Sequence, residues 1–312
     1  MNEAEIKAHQ LLANIATVFP QSIWFADIDD TLIDTIEAHQ LASQEIAVVL
    51  EPAIGERNAL AIKEQFLEIF RVLMSGHRAF KATSQLDPTD IIGAQYRALR
   101  QRIEHYQQDL REQWGAIKVF SREVLLTLAG EDCSITLTPE QISKSINHYW
   151  EKVADYALCY DDSFQLLEAI AAMKRPLYLF TSSDGRLTLR ADGQFEYDPQ
   201  LSHQLKLARI ERLRSKGLHY QGLFIGDPID KPNPEFFEMI YKSVARDLGQ
   251  EFRLENTIII GDSYDADLHV PVSTWEKSLG ILYRRGQEKV FAEKERVLAV
   301  GNWQVVRNLL VV

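Results

Sequence analysis

The chain has 312 residues, 46% of them hydrophobic and 25% charged, with a formal net charge of −11. This is the make-up of a globular protein with one large domain or two moderate ones, and the negative charge argues against a nucleic-acid backbone or an anionic membrane as partner. Phosphorylated small molecules stay open, because a bound metal and one lysine can reverse the field locally. The only two cysteines, Cys133 and Cys159, lack metal-ligand spacing. They read as thiols in a reduced compartment.

Residues 1–18 mix Glu3, Glu5, Lys7 and His9 with Ile6, Leu11, Leu12 and Ile15. That spacing predicts an amphipathic helix without the apolar core of a signal peptide. No stretch approaches a transmembrane span, so a cytoplasmic location is expected. Ile23–Ala26 then reads as a buried strand that stops at Asp27, with a second acid, Asp29, two residues on.

From Asp34 to Tyr156 helical periodicity dominates. Helices are expected over 34–50, 60–74, 122–128 and 139–156, the last opened by Thr138-Pro139. Tyr96, Leu99, Ile103, Tyr106, Leu110 and Trp114 draw one stripe along a single long helix; the aromatics in it read as packing. Ser75–Lys81 reads as a basic loop that brings Arg78 and Lys81 over a site or simply into solvent.

Beyond Tyr156 the pattern alternates. A helix (164–173), a strand (177–180), a hairpin (187–197) turning at Asp192-Gly193, a helix (203–215), a strand (222–225), a helix (234–248), a strand (257–260) and a final strand (280–283) follow. Alternation implies a parallel sheet covered on both faces, and the strand at Ile23 must join it. The expected fold is therefore α/β: a doubly wound, Rossmann-like core from residues 1–33 and 157–312, with residues 34–156 inserted as an all-helical cap.

Three apolar runs end in reactive groups: at Asp27, at Thr181, and at Gly261-Asp262. In an open parallel sheet the carboxyl ends of the strands are where ligands bind. Lys231 lies between the second and third, in a loop stiffened by Pro232 and Pro234 at a helix start. Two acids as close as Asp27 and Asp29 repel unless a hard cation compensates. Phe224-Ile225-Gly226-Asp227 also reads as a strand ending in Gly-Asp, but it precedes Lys231.

This order of motifs resembles the haloacid dehalogenase-like (HAD) hydrolase superfamily, in its helical-cap branch. Asp27-Ile28-Asp29-Asp30-Thr31 is similar to the first motif, Thr181 to the second, Lys231 to the third, and Gly261-Asp262 with Asp267 to the fourth; motif order selects Asp262 over Asp227. The resemblance implies a Mg²⁺-dependent phosphatase acting on a small phosphorylated metabolite. Asp27 would be the nucleophile and Asp29 the general acid and base. Asp27, Asp262 and the Asp29 carbonyl would hold Mg²⁺, Thr181 would bind a phosphoryl oxygen, and Lys231 would balance charge. Asp267 would orient Lys231 or a metal-bound water, with Ser182 and Ser183 supporting. Dehalogenating and phosphonate-cleaving relatives lack the acid at the position of Asp29, so an alcohol leaving group is expected.

A phosphotransferase or mutase, and a ligand-binding regulatory protein of the same fold, stay open as alternatives. Arg186 is expected to pair with Asp184 or to touch phosphate. The hairpin near 187–197, the long cap and Pro271 depart from the family pattern. Nothing in the chain names the substrate or the oligomeric state.

Overall fold

In a computed structural model, which describes residues 3–83, 91–115, 117–249 and 254–309, β1 (Ile23–Asp27) is buried at all five positions. A strand with apolar residues on both faces belongs in the middle of a covered parallel sheet, and that is where it lies. With β2 (Leu177–Ser182), β5 (Gly222–Gly226), β6 (Thr257–Gly261), β7 (Leu279–Tyr283), β8 (Phe291–Lys294) and β9 (Val297–Val300) it forms a seven-stranded sheet. The order is β5-β2-β1-β6-β7-β9-β8, and every pairing is parallel except β8 with β9. The fold is an α/β Rossmann-like core with a helical insertion.

Side chains alternate across the sheet. One face carries Phe25, Tyr178, Phe180 and Ile259 against Phe236, Phe237, Ile240 and Val244 of α10 (Pro234–Leu248). Phe25 stacks on Tyr178 at 5.6 Å and meets Trp275 edge-on at 4.9 Å. The opposite face buries Trp24, Leu179 and Ile260 completely. Trp303, stacked on Tyr283 at 4.7 Å, donates its indole N–H to the Thr31 carbonyl at 3.2 Å and so ties down the turn after β1.

The chain divides into two compact units. One takes residues 1–35, 158–182 and 211–312; the other takes 36–157 and 183–210. The first holds the sheet with α1 (Glu3–Val18), α8 (Asp161–Ala172), α10, α11 (His269–Thr274) and α12 (Gln304–Arg307). The second holds most of α2 (Thr35–Ile54), α3 (Glu56–Thr83), α4 (Ile91–Tyr106), α5 (Gln108–Trp114), α6 (Arg122–Asp132), α7 (Pro139–Tyr156), the hairpin β3 (Thr188–Leu189) and β4 (Phe195–Glu196), and the first part of α9 (Pro199–Ser215). Thus 183–210, which the alternating pattern places with the sheet, groups with the helices.

Several local expectations change. The single helix through 96–114 is two helices, broken at Gln107. Its buried side-chain amide accepts from the Lys118 N–H at 2.6 Å and donates to the Lys118 carbonyl at 3.0 Å, and a stripe of apolar residues cannot report such a break. Residues 75–81 continue α3 instead of forming a loop; the side chains of Arg78 and Lys81 lie outside the described residues. Two strands, β8 and β9, follow the one expected to be last; both are four residues long, too short for periodicity to register. The hairpin forms as expected, with Leu189 opposite Phe195 and Gly193 at φ +83° in its turn.

Candidate active site

Parallel register brings the motif residues to one edge of the sheet. Asp27 sits opposite Phe180 on β2, so Thr181 lies one step beyond it; Ala26 sits opposite Ile260 on β6, so Gly261 is level with Asp27 and Asp262 projects just past it. Lys231 arrives from the loop after β5, where Asn233 caps α10 by accepting from the Glu235 N–H at 2.9 Å.

Lys231 Nζ hydrogen-bonds Asp27 Oδ1 and, at 2.7 Å, Asp267 Oδ1. All three side chains are at least nine-tenths buried. The other oxygen of Asp27 accepts from the Thr31 hydroxyl at 2.8 Å, and the other oxygen of Asp267 accepts from the Ser263 N–H at 2.9 Å. The two oxygens of Asp29 accept from the Thr35 hydroxyl at 3.0 Å and from the Thr181 hydroxyl at 3.1 Å. Ser182 Oγ donates to Asp230 Oδ1 at 2.9 Å, and the same oxygen accepts from the Lys231 N–H at 2.7 Å.

Burial raises Asp27 to about 7 against the pull of Lys231, and Asp267 and Asp29 push it further up. Burial alone would lower Lys231, but Asp267 and Asp27 outweigh it and hold the ammonium well above its ordinary value. Asp262 is exposed on one side. The protein around it, then Asp267 and Asp27, raise its carboxyl, and contact with solvent moderates that push.

Carboxylate oxygens of Asp27, Asp262 and Asp267 lie within 4.8 Å of one another. Crowded oxygen donors, two of them (Asp27 and Asp262) with raised carboxyls, form the donor set that a hard divalent cation stabilises, so the residues fit Mg²⁺. The motif resemblance implies Asp27, Asp262 and the Asp29 main chain as ligands; the structure adds the Asp267 carboxylate to that neighbourhood. Asp227 follows β5, an edge strand separated from β1 by β2, and is not among the three.

Three residues, Thr31, Thr35 and Asp230, gain parts that the sequence did not assign. Thr31 and Thr35 anchor the two acids, and Asp230 links Ser182 to the lysine loop. Asp30 stands at φ +60°, a conformation glycine adopts freely and aspartate tolerates; its Oδ1 accepts from the Thr35 N–H at 3.1 Å, at the start of α2. A signal was present for Thr31 and Thr35, since a hydroxyl within a turn of a strand-end acid can reach it. Arg186 pairs with Glu123 at 2.7 Å, not with Asp184, which instead takes Lys206 at 3.1 Å and Arg209 at 2.9 Å. All of these lie within the helical unit.

Gly261 has a steric reason to precede Asp262. A Cβ there would stand 2.4 Å from the Asp267 Cβ and 2.7 Å from its Oδ2. Gly261→Ala is therefore expected to displace Asp267 from Lys231 and to lower the melting temperature by several degrees, with far-ultraviolet circular dichroism unchanged. An unchanged melting temperature would mean that Asp267 does not need its present place.

No family profile matches the sequence, and no curated protein does. Solved structures match in shape. YfnB of Bacillus subtilis, assigned as a HAD-hydrolase and bound to magnesium, is 15% identical with a TM-score of 0.53, over 93% of this chain and 99% of that one. A 2-haloacid dehalogenase from Pseudomonas syringae pv. Tomato is 16% identical, with a TM-score of 0.45 over 93% and 97% of the two chains. A HAD phosphatase from Thermococcus onnurineus is 14% identical, with a TM-score of 0.44 over 93% and 98%. Strand order, the insertion after β1 and the likeness to YfnB agree: the chain has the haloacid dehalogenase-like hydrolase fold.

Proposed function

We propose that the protein is a Mg²⁺-dependent phosphomonoester hydrolase acting on a small phosphorylated metabolite. The observation that carries this reading is the placement of Asp29. Its carboxylate accepts from two hydroxyls while Lys231 bonds Asp27 and Asp267, which suits a proton carrier. No helix among the described residues is long and apolar enough to cross a membrane, and both cysteines are free; we place the protein in the cytoplasm.

Asp27 attacks phosphorus in line with the ester oxygen, the P–O bond to the alcohol breaks, and an aspartyl-phosphate forms. Asp29, released from Thr181, gives its proton to the departing alkoxide. It then takes a proton from the water that attacks phosphorus and frees Asp27. Lys231 neutralises Asp27 before attack and the phosphoryl oxygens during it, and Thr181 turns its hydroxyl toward the same oxygens. Mg²⁺, held by the Asp27 and Asp262 carboxylates and the Asp29 carbonyl, would neutralise phosphoryl charge.

Hydrolysis of an aryl phosphate is expected to need Mg²⁺ and to stop on chelation. Asp29→Asn is expected to slow alkyl phosphates by about 10²–10⁴-fold and aryl phosphates less, because a phenolate leaves with little help from an acid. Equal losses on both classes would remove Asp29 from the acid's part. No turnover across a broad panel of phosphorylated metabolites would move the protein to a ligand-binding role.

A further inference from the structure

The seven-stranded sheet has two edges, and they are built differently. β8 at one edge has a register shift between Ala292 and Lys294 and carries Glu293 and Lys294. Bulges and charges of this kind keep an edge from pairing with another chain. β5 at the other edge, Gly222-Leu223-Phe224-Ile225-Gly226, has no charge, no proline and an unbroken register of five residues with β2. Gly222, Leu223 and Phe224 are partly exposed. Beside them lies a groove of about 560 Å³, lined also by Tyr178 and by Ser243, Arg246 and Asp247 of α10. Backbone phase decides what the strand presents outward. Trp24, the register partner of Leu177, donates its N–H to the Pro176 carbonyl at 2.8 Å, so Pro176, Tyr178 and Phe180 turn their backbone groups to β1. Leu177 and Leu179 then turn theirs to β5, and the Leu177 carbonyl accepts from the Gln221 N–H at 2.7 Å. In a parallel ladder only one member of each register pair bonds across. Leu223, the partner of Leu179, therefore points its N–H and carbonyl out at the open edge, and no hydrogen bond from another described segment reaches them.

We propose that β5 pairs antiparallel with β5 of a second copy of this chain, about a two-fold axis at Leu223. An edge strand paired with its own copy about a two-fold axis is antiparallel, and this register is self-complementary. The two Leu223 residues exchange hydrogen bonds between their N–H and carbonyl groups. Gly222 of each copy then stands opposite Phe224 of the other, at the closer spacing where side chains meet. The Tyr178 ring leans over Gly222, where a Cβ would stand 2.8 Å from it, so the incoming Phe224 ring packs against Tyr178 and fills the groove. Arg246 and Asp247 give the rim one charge of each sign, and a two-fold copy sets each against its opposite. All of these residues lie in the sheet unit, and the proposal does not depend on the reading of the Asp27 site.

Sedimentation velocity of the full chain over a dilution series tests this. The parent is expected to form a dimer, twice the 35.8 kDa of the chain, that dissociates on dilution. Leu223→Lys sets two ammonium groups against each other across the axis, the device by which natural edges stay unpaired. It is expected to raise the dissociation constant at least about 100-fold, with circular dichroism unchanged. Arg246→Glu, at an exposed position on α10, leaves the strand intact and is expected to weaken the dimer about tenfold; it decides the matter if Leu223→Lys does not fold. Hydrogen exchange at the Leu223 amide is expected to be slow in the dimer and fast after dilution. A parent that stays monomeric up to about 100 μM overturns the proposal and gives the edge to another occupant or to none. A dimer that both variants leave intact, or one in which the Leu223 amide exchanges fast, overturns it as well. Mass and exchange are read without substrate, so the result stands whether or not the chain hydrolyses phosphate esters.

Discussion

Asp27→Asn is expected to lower phosphatase turnover by at least roughly 10⁴-fold, the scale lost when a nucleophile is removed, while making the metal-free protein more stable. The two effects share a cause. In the folded chain Asp27 titrates near 7, raised mainly by burial, whereas in the unfolded chain it titrates near its ordinary value. The folded state therefore binds more protons than the unfolded one between about pH 4 and pH 7, and stability falls as pH rises through that window. Asparagine has the protonated form's lack of charge at every pH. At pH 8 without metal the variant should gain on the order of 2 kcal/mol, read as a melting temperature higher by several degrees; near pH 4 the two proteins should melt together. Mg²⁺ should narrow the gap by stabilising the parent. A variant that melts no higher at pH 8 would show that Asp27 carries no electrostatic penalty, and one that still turns over would remove it as nucleophile.

Lys231→Met is expected to lose both activity and stability. The ammonium hydrogen-bonds Asp27 and Asp267 together, with all three side chains nearly out of solvent. Removing one member of a buried ionic group leaves its partners uncompensated and costs about 3–5 kcal/mol; removing a preorganised cation from a phosphoryl-transfer site costs about 10²–10³ in rate. The raised pKa of Lys231 keeps its own contribution intact below its unfolded value, so the lysine does not titrate in the neutral range. The pH dependence of the loss comes from Asp27 instead. Without the lysine, Asp27 rises further, and the window of falling stability extends above pH 7. Chemical denaturation at pH 5 and pH 8 should show a larger deficit at pH 8; equal deficits would mean that Lys231 acts by packing rather than by charge.

The candidate site was legible in the chain because its parts are strand ends, and strand ends announce themselves. When parallel strands share an edge, an all-apolar run that stops at Asp27, Thr181 or Gly261-Asp262 delivers its polar group to the place where ligands bind. The hairpin at Asp192-Gly193 was legible for the similar reason that its turn requires a φ that glycine supplies. Gln107 was not legible, because its reach to Lys118 closes a loop that hydrophobic spacing does not encode. Nor was the partner of Arg186: charge pairing looks local in a sequence, but Glu123 is brought to it by folding of the helical unit.

What the sequence alone determined is the order of the motifs, the α/β core with its inserted helices, and the identity of the acids and the lysine, since these depend on residue type and short-range periodicity. Only the tertiary structure decided which oxygen meets which proton. It set Asp29 on Thr35 and Thr181, Asp27 on Lys231 and Thr31, and Asp30 at the start of α2. Hydrogen-bond partners and the burial that shifts a carboxyl arise where distant segments meet, and no local pattern records them.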